Sequence, residues 1–236
     1  MLISHKKKFV FIHIYKTAGT SVMNVFLPYA RLTDRMVFDF KFTSKIVSFI
    51  IRLMNWYDDG QKQFTGVHKH APATDIRNLI GEKLYNEYFS FIFVRNPFDL
   101  IVSLYFYISQ SRVHIDHESV LKMTFSEFVE WYISSKPALQ LDFVTDPITK
   151  KVIVNYIGRF ETLNDDMNFI VQRLGLPSER SLQHRNPSKK RKSKDYKSYY
   201  DAETRELVAS YFQKDLDNFG YCFEGTYTPE IPVLSI

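Results

Sequence analysis

A lysine, a glycine and three serine or threonine side chains follow a short apolar run near the start of the chain. The run from Phe9 to Ile14 has the composition of a buried strand, and the segment from Lys16 to Ser21 follows it, before an apolar helical pattern resumes. N–H groups at the start of a helix bind phosphate, and a glycine there lets the backbone approach closely. The charge of Lys16 suits neutralisation of a leaving-group oxygen. The alternative is a capped helix start with a surface lysine.

The order of residues in this loop separates it from the loop of P-loop NTPases. Their motif, G-x-x-x-x-G-K-[ST], places the lysine at the end of the loop, whereas Lys16 precedes Gly19. This order argues against a standard ATPase or GTPase and leaves other phosphate-bearing nucleotides as possible ligands.

A second candidate phosphate site follows a later apolar run. The segment FSFIFV, from Phe89, is almost continuously apolar, as expected of a strand buried on both faces in a parallel sheet. Arg95 stands at its carboxyl end, where ligands of parallel sheets collect, and an arginine binds phosphate through a two-pronged fork. Ser103 lies two helical turns further on, at a spacing that allows it to face the same site. The alternatives are an ion pair of Arg95 with Asp99 or a glutamate, and a solvent-facing serine.

Two histidines are candidates for a general base. Transfer of a group to a hydroxyl is helped by a proton acceptor, and an imidazole with a pKa near its ordinary value of about 6.5 suits neutral pH. His68 and His70 follow a predicted short strand over Phe64 to Val67 and would point to opposite sides of an extended chain. An ordinary hydrogen-bonded loop histidine is the alternative. A metal pair is disfavoured, since no further ligand stands at a recognisable spacing.

Two strand-loop-helix units position these residues and predict an α/β fold with a central parallel β-sheet flanked by helices. The basic N-terminal segment and the apolar run after it are interpreted as one first strand. A further strand is predicted over Ile153 to Phe160. Helices are predicted over Ala73 to Leu84, Asp99 to Ile108, Thr124 to Ser134, Thr162 to Leu174, and Asp201 to Phe212, the last with Asp201 as N-cap.

Length and composition predict a single domain covering residues 1–236, with an inserted helical connection over 31–63 and a mobile basic loop over 183–197. Apolar residues make up 45% of the chain and charged residues 24%, which are values typical of globular proteins. The net charge of +5 and a pI of 9.1 favour anionic partners. No apolar run is long enough to span a bilayer, so a cytoplasmic location is predicted.

Two motifs together carry a family resemblance. In order and spacing, FVFIHIYKTAGTS resembles the 5′-phosphosulfate-binding segment of sulfotransferases that use 3′-phosphoadenosine 5′-phosphosulfate (PAPS), and FIFVRNPFDLIVSLY resembles their 3′-phosphate-binding segment. The branch that the chain most resembles is the carbohydrate sulfotransferases of the heparan and chondroitin types. The segment Tyr156 to Glu161 and the run Tyr199 to Val208 are similar to that branch as well.

The resemblance implies a P-loop-kinase-like sulfotransferase fold and a role for each matching residue. Lys16 would contact the 5′-phosphate and the sulfuryl bridge, and Arg95 and Ser103 would hold the 3′-phosphate. A histidine base is implied at His70, with His68 as the second choice. The branch often has proline where this chain has Tyr15, so the loop geometry is expected to differ. The cradle for the 5′ side would consist of Thr17, Ala18, Gly19, Thr20 and Ser21.

The predicted function is therefore transfer of a sulfuryl group from PAPS to a hydroxyl, on a carbohydrate acceptor, without a metal ion. An ATP-dependent small-molecule kinase would use a similar frame, but would require ATP and Mg²⁺. A basic nucleic-acid-binding protein would rest on the run from Lys189 to Lys194, and the sequence has no RNP-like or helix-turn-helix signature. No nucleic-acid partner is expected.

Overall fold

The computed structural model describes residues 1–30, 69–177, 193 and 195–226. The chain divides into two compact units. Among the described residues, the sheet unit comprises 1–30, 69–93 and 142–177, and the helical unit comprises 94–141, 193 and 195–226. The single-domain organisation stays a prediction. The proposed connection over 31–63 and most of the proposed loop over 183–197 lie outside the described residues.

Six strands and nine α-helices are present in the described part of the chain. The strands are β1 (Leu2–Ser4), β2 (Phe9–Ile12), β3 (Phe89–Val94), β4 (Tyr156–Arg159), β5 (Tyr221–Cys222) and β6 (Gly225–Thr226). The helices are α1 (Gly19–Phe26), α2 (Ala73–Ile80), α3 (Glu82–Glu87), α4 (Pro97–Ile108), α5 (His117–Val120), α6 (Phe125–Ser134), α7 (Leu163–Arg173), α8 (Ala202–Tyr211) and α9 (Gln213–Phe219). Short 3₁₀ helices cover Leu27–Tyr29, Leu141–Phe143 and Tyr196–Tyr199.

A four-stranded sheet in the order β1-β2-β3-β4 confirms the predicted α/β fold. Strand β2 pairs in parallel with β3, with Phe9 opposite Phe89, so the carboxyl ends of both strands lie at one edge. The sheet is mixed rather than wholly parallel, because β1 pairs antiparallel with β2. The prediction of a single first strand was therefore wrong. Residues 5–8 form a turn, and the left-handed backbone of Lys8, with φ 52°, reverses the chain.

The predicted continuous burial of the two central strands is confirmed. All four residues of β2 are buried, and so are five of the six in β3. Phe91 is at the centre of an aromatic cluster, with ring centroids 5.3 Å from Phe11 and 5.1 Å from Phe26. Because Phe91 has no solvent exposure, truncation to alanine would cost about 3–5 kcal/mol of folding free energy.

Two predicted element boundaries in the sheet unit were wrong. The helix over Ala73 to Leu84 is divided into α2 and α3 by Gly81, whose φ of 86° no helix accommodates. The strand over Ile153 to Phe160 shortens to β4. The N–H of Ile153 instead donates to the carbonyl of Val144, outside the sheet.

Helix α2 is tied to a turn that follows the 3₁₀ helix Leu141–Phe143. Arg77 forms an ion pair with Asp146, which also accepts hydrogen bonds from the N–H groups of Ile148 and Thr149. The hydrogen bond from Thr149, followed by the one from Arg77, holds the pKa of Asp146 well below its ordinary value. This brace anchors the helix that begins three residues after His70.

Three helices of the helical unit, α4, α6 and α8, begin at side-chain caps. Asn96 accepts a hydrogen bond from the N–H of Phe98 at the start of α4, and Thr124 forms a capping box with Glu127 at the start of α6. The predicted N-cap at Asp201 is confirmed, since its carboxylate accepts from the N–H of Thr204. Helix α8 packs on α6. Within the described residues, no helix has both the length and the apolar character needed to cross a membrane.

Candidate active site

The loop between β2 and α1 has an unusual backbone. Lys16 and Ala18 adopt left-handed conformations, with φ of 61° and 63°, and helix α1 begins immediately afterwards at Gly19. Such conformations cost about 1–3 kcal/mol each in a residue other than glycine and are concentrated at ligand sites. The N–H groups of Ser21 and Val22 both donate to the Ala18 carbonyl, closing the first turn. The N-terminus of α1 therefore directly follows the loop segment that contains Lys16.

The three hydroxyls of this loop have different surroundings. The Thr17 side chain is fully buried and donates to the Ile14 carbonyl over 2.9 Å, so it ties the loop to the end of β2. Thr20 is exposed, whereas Ser21 is buried in the first turn of α1. The structure thus gives Thr17 a role in loop shape, and it leaves Thr20 accessible to a ligand.

His70 lies next to the end of β2 and is held there through its ring. Its Nδ1 atom is 2.8 Å from the main-chain oxygen of His13. A carbonyl oxygen only accepts hydrogen bonds, so Nδ1 carries the proton, and in the neutral ring Nε2 is the basic nitrogen.

His13 fills the space between His70 and the loop. Its ring centroid is 4.5 Å from that of His70 and 5.8 Å from that of Phe11. A Cβ atom added to Gly19 would lie 1.7 Å from His13 Nε2, so this glycine is needed because the ring occupies the place of a side chain. Burial, assisted by the positive charges around it, lowers the pKa of His13 well below its ordinary 6.5. The imidazole is therefore neutral at physiological pH.

Arg95 and Ser103 belong to the helical unit. The guanidinium of Arg95 donates from Nε and Nη2 to one carboxylate oxygen of Asp99, at 2.9 and 2.6 Å. The ion pair named as the alternative role of Arg95 is thus present. A guanidinium has five N–H donors, and the pair with Asp99 uses two of them. Ser103 is buried on α4 four residues after Asp99, and therefore on the same helix face.

Comparison with known proteins identifies the family. Residues 1–222 match the model of the sulfotransferase family. The chain belongs to the sulfotransferase family. It is 37% identical to an uncharacterized protein of Archaeoglobus fulgidus over 111 residues, which are 46% of this chain and 85% of that protein. It is 24% identical to human carbohydrate sulfotransferase 9 over 188 residues, 65% of this chain, and spans only 42% of the human protein's length. No solved structure matches it significantly.

The predicted site residues of this sulfotransferase fall into two groups. The sheet unit brings Lys16 to Ser21 into the neighbourhood of His13, which in turn contacts His70. The helical unit holds Arg95 and Ser103. His68 lies outside the described residues, so its competition with His70 stays a prediction. In the part of the chain that the structure describes, no three His, Cys, Asp or Glu residues are grouped as metal ligands.

Sequence reasoning missed one residue of the sulfotransferase that contacts a predicted site residue. Gln140 forms two hydrogen bonds to the main chain of Arg95. It is 45 residues away in the chain and belongs to no motif, so no local pattern indicates this contact.

Proposed function

We propose that this sulfotransferase transfers a sulfuryl group from PAPS to a hydroxyl of a carbohydrate acceptor, with His70 as the base. Membership of the family and the similarity to carbohydrate sulfotransferase 9 support the reaction and the acceptor class. The observation that carries the assignment of the base is the hydrogen bond from His70 Nδ1 to the His13 carbonyl, since it leaves Nε2 as the proton acceptor.

The 5′ side of the donor is proposed to bind at the loop after β2. The N-terminus of α1 supplies N–H groups and a partial positive charge, and Lys16 adds a full one. The left-handed backbone conformations of Lys16 and Ala18 shape this loop. A phosphate oxygen carrying the sulfuryl group is the anion that this arrangement suits.

The 3′-phosphate is proposed to bind Arg95 and Ser103. Asp99 holds the guanidinium of Arg95 from one side, which limits its rotamers and directs its other donors. Ser103 adds a hydroxyl from the same face of α4. A 3′-phosphate distinguishes PAPS from ATP, so this pair also supplies the specificity of the proposed donor.

The reaction is an in-line displacement at sulfur. The acceptor oxygen forms a bond to sulfur while the bond between sulfur and the 5′-phosphate oxygen breaks, and the hydroxyl proton passes to His70 Nε2. Lys16 stabilises the charge that develops on the departing phosphate oxygen. The products are a sulfate ester and 3′-phosphoadenosine 5′-phosphate (PAP). Positioning and electrostatics carry most of the rate enhancement, as in phosphoryl transfer.

Calorimetric titration of the wild-type chain with PAP, and separately with ATP and Mg²⁺, tests the donor class. The proposal expects saturable one-to-one binding of PAP and much weaker binding of ATP. Binding of ATP with Mg²⁺ in preference to PAP would establish the kinase alternative. Salt-sensitive binding of nucleic acid without affinity for PAP would establish the nucleic-acid-binding alternative. The cytoplasmic location stays a prediction.

A further inference from the structure

The main chain of Arg95 is held by a buried glutamine. The N–H of Arg95 donates to Gln140 Oε1 over 2.9 Å, and Gln140 Nε2 donates back to the Arg95 carbonyl over 2.8 Å. Both residues are nearly inaccessible, with exposures of 6% for Arg95 and 4% for Gln140. Directly after β3, the side-chain amide of Gln140 therefore bonds both the N–H and the carbonyl of Arg95, as the backbone of a neighbouring strand would.

Gln140 is itself held by a buried carboxylate. Asp215, in α9, has no solvent exposure and accepts the N–H of Gln140 through Oδ2 and the N–H of Leu141 through Oδ1, each over 2.9 Å. A buried carboxylate is costly unless hydrogen bonds compensate its lost hydration, so its position is restricted to this geometry. Asp215 thus determines where the backbone of Gln140 lies.

The residue after Arg95 is fixed from another direction. Asn96 accepts from the N–H of Phe98, and its Nδ2 donates to the carbonyls of Cys222 at 2.9 Å and Gly225 at 3.3 Å. The two-residue turn between β3 and α4 is therefore attached to the hairpin of β5 and β6 as well as to Gln140. Such double attachment of a short turn leaves little freedom at the Cα of Arg95.

We infer that Gln140 is a positioning residue for the 3′-phosphate, acting through the main chain of Arg95 and held in place by Asp215. The inference rests on the proposed function, because it assumes that Arg95 binds the 3′-phosphate. Asp99 sets the direction of the guanidinium, and Gln140 sets the position of the backbone from which that side chain extends. A guanidinium binds a phosphate with defined geometry only when the backbone that carries it is held in place. Residues that orient metal-binding side chains contribute about 10- to 100-fold to metal affinity or activity, and we take the lower end of that scale for Gln140.

The test compares two ligands that differ in one group, PAP and adenosine 5′-monophosphate, which lacks the 3′-phosphate. Their dissociation constants are measured by calorimetry for wild type, Gln140→Ala, Gln140→Glu and a control, Gln213→Ala. The control removes an exposed amide from α9, the helix that carries Asp215. Gln140→Glu keeps the size of the side chain and the acceptor for the Arg95 N–H, but places an oxygen against the Arg95 carbonyl.

We expect both Gln140 variants to bind PAP about tenfold more weakly, while their affinity for adenosine 5′-monophosphate changes less than about twofold. Gln213→Ala should resemble wild type with both ligands. Equal losses for the two ligands, an unchanged affinity for PAP, or failure of both Gln140 variants to fold would each overturn the inference, because the role would then be general or absent. If Gln140→Ala alone fails to fold, the ratio measured for Gln140→Glu decides.

The same titrations separate this inference from the proposed function. A wild-type chain that does not prefer PAP to adenosine 5′-monophosphate contradicts the proposed 3′-phosphate site itself. A wild-type preference that survives in both Gln140 variants contradicts only the role of Gln140.

Discussion

His70 Nδ1 donates to the main-chain oxygen of His13 over 2.8 Å, while the rings of the two histidines lie 4.5 Å apart. The first contact selects the tautomer of His70, and the second restricts the orientation of its ring. His13, directly after β2, therefore fixes the tautomer of the candidate base through its main chain and restricts the orientation of that ring through its side chain.

Replacing His70 with alanine should abolish most of the sulfuryl transfer while leaving PAP binding nearly intact. A positioned general base contributes about 10²- to 10⁴-fold to the rate, and the proposed donor contacts do not involve His70. Steady-state kinetics with PAPS and calorimetry with PAP measure the two effects. His114→Ala serves as a control for loss of an imidazole. A fully active His70→Ala protein would show that another group, such as His68, is the base.

Replacing Lys16 with alanine should lower kcat by about 10²- to 10³-fold, since the charge on the departing oxygen loses its stabilising partner. PAP binding should also weaken, because the same ammonium faces the 5′-phosphate in the product. The matched control is Lys6→Ala, which removes an exposed lysine from the turn between β1 and β2. Equal rates in Lys16→Ala and Lys6→Ala would remove Lys16 from the proposed chemistry.

Replacing Gly19 with alanine should displace the His13 ring, because the new methyl group would lie 1.7 Å from its Nε2 atom. Overpacking of this kind costs about 1–3 kcal/mol of folding free energy, and transfer should fall with the displaced support of His70. Chemical denaturation and kinetics of Gly19→Ala, His13→Ala and the double variant measure the coupling. The double variant should be less impaired than the sum of the single changes. Strict additivity would mean that His13 does not cause the requirement for glycine.

The stability of the protein should decrease as the pH falls below about 6.5, with a contribution from His13. Its pKa is lowered in the folded state, so in this range the unfolded chain binds a proton that the native protein does not. The free energy of unfolding then decreases by about 1.4 kcal/mol per pH unit for this group, and there is no contribution above the unfolded pKa.

Urea denaturation between pH 5 and 7.5, compared for wild type and His13→Gln, isolates that contribution. The variant lacks the titrating ring, so its stability should depend less steeply on pH by about one proton. Identical slopes for the two proteins would mean that His13 is protonated in the folded state or titrates equally in both states.

Sequence patterns were sufficient to predict those structural features that depend on a single short segment of the chain. The apolar run of β3 and the cap at Asp201 were predictable, because burial on both faces and N-capping leave their marks within a few neighbouring residues. Element boundaries that depend on the backbone angle of a single residue could not be predicted. The break at Gly81 and the reversal at Lys8 are left-handed conformations that composition alone does not reveal.

The pairing of Arg95 with Asp99 shows the limit within a single motif. Both the phosphate role and the ion pair were compatible with the spacing of four residues, and the structure shows the ion pair. Both roles use the same guanidinium, so the spacing in the sequence could not show which of them the side chain adopts.

By itself, the sequence determined the family, the α/β frame and the residue types of the two loops proposed to bind phosphate, because these depend on short segments with characteristic order. Only the tertiary structure decided which distant residues hold the candidate site residues in place. The tautomer of His70 depends on a carbonyl 57 residues away, and the position of Arg95 depends on Gln140 and, through it, on Asp215. Hydrogen bonds and close packing act over a few ångströms in space, and folding joins residues whose separation along the chain carries no trace of that proximity.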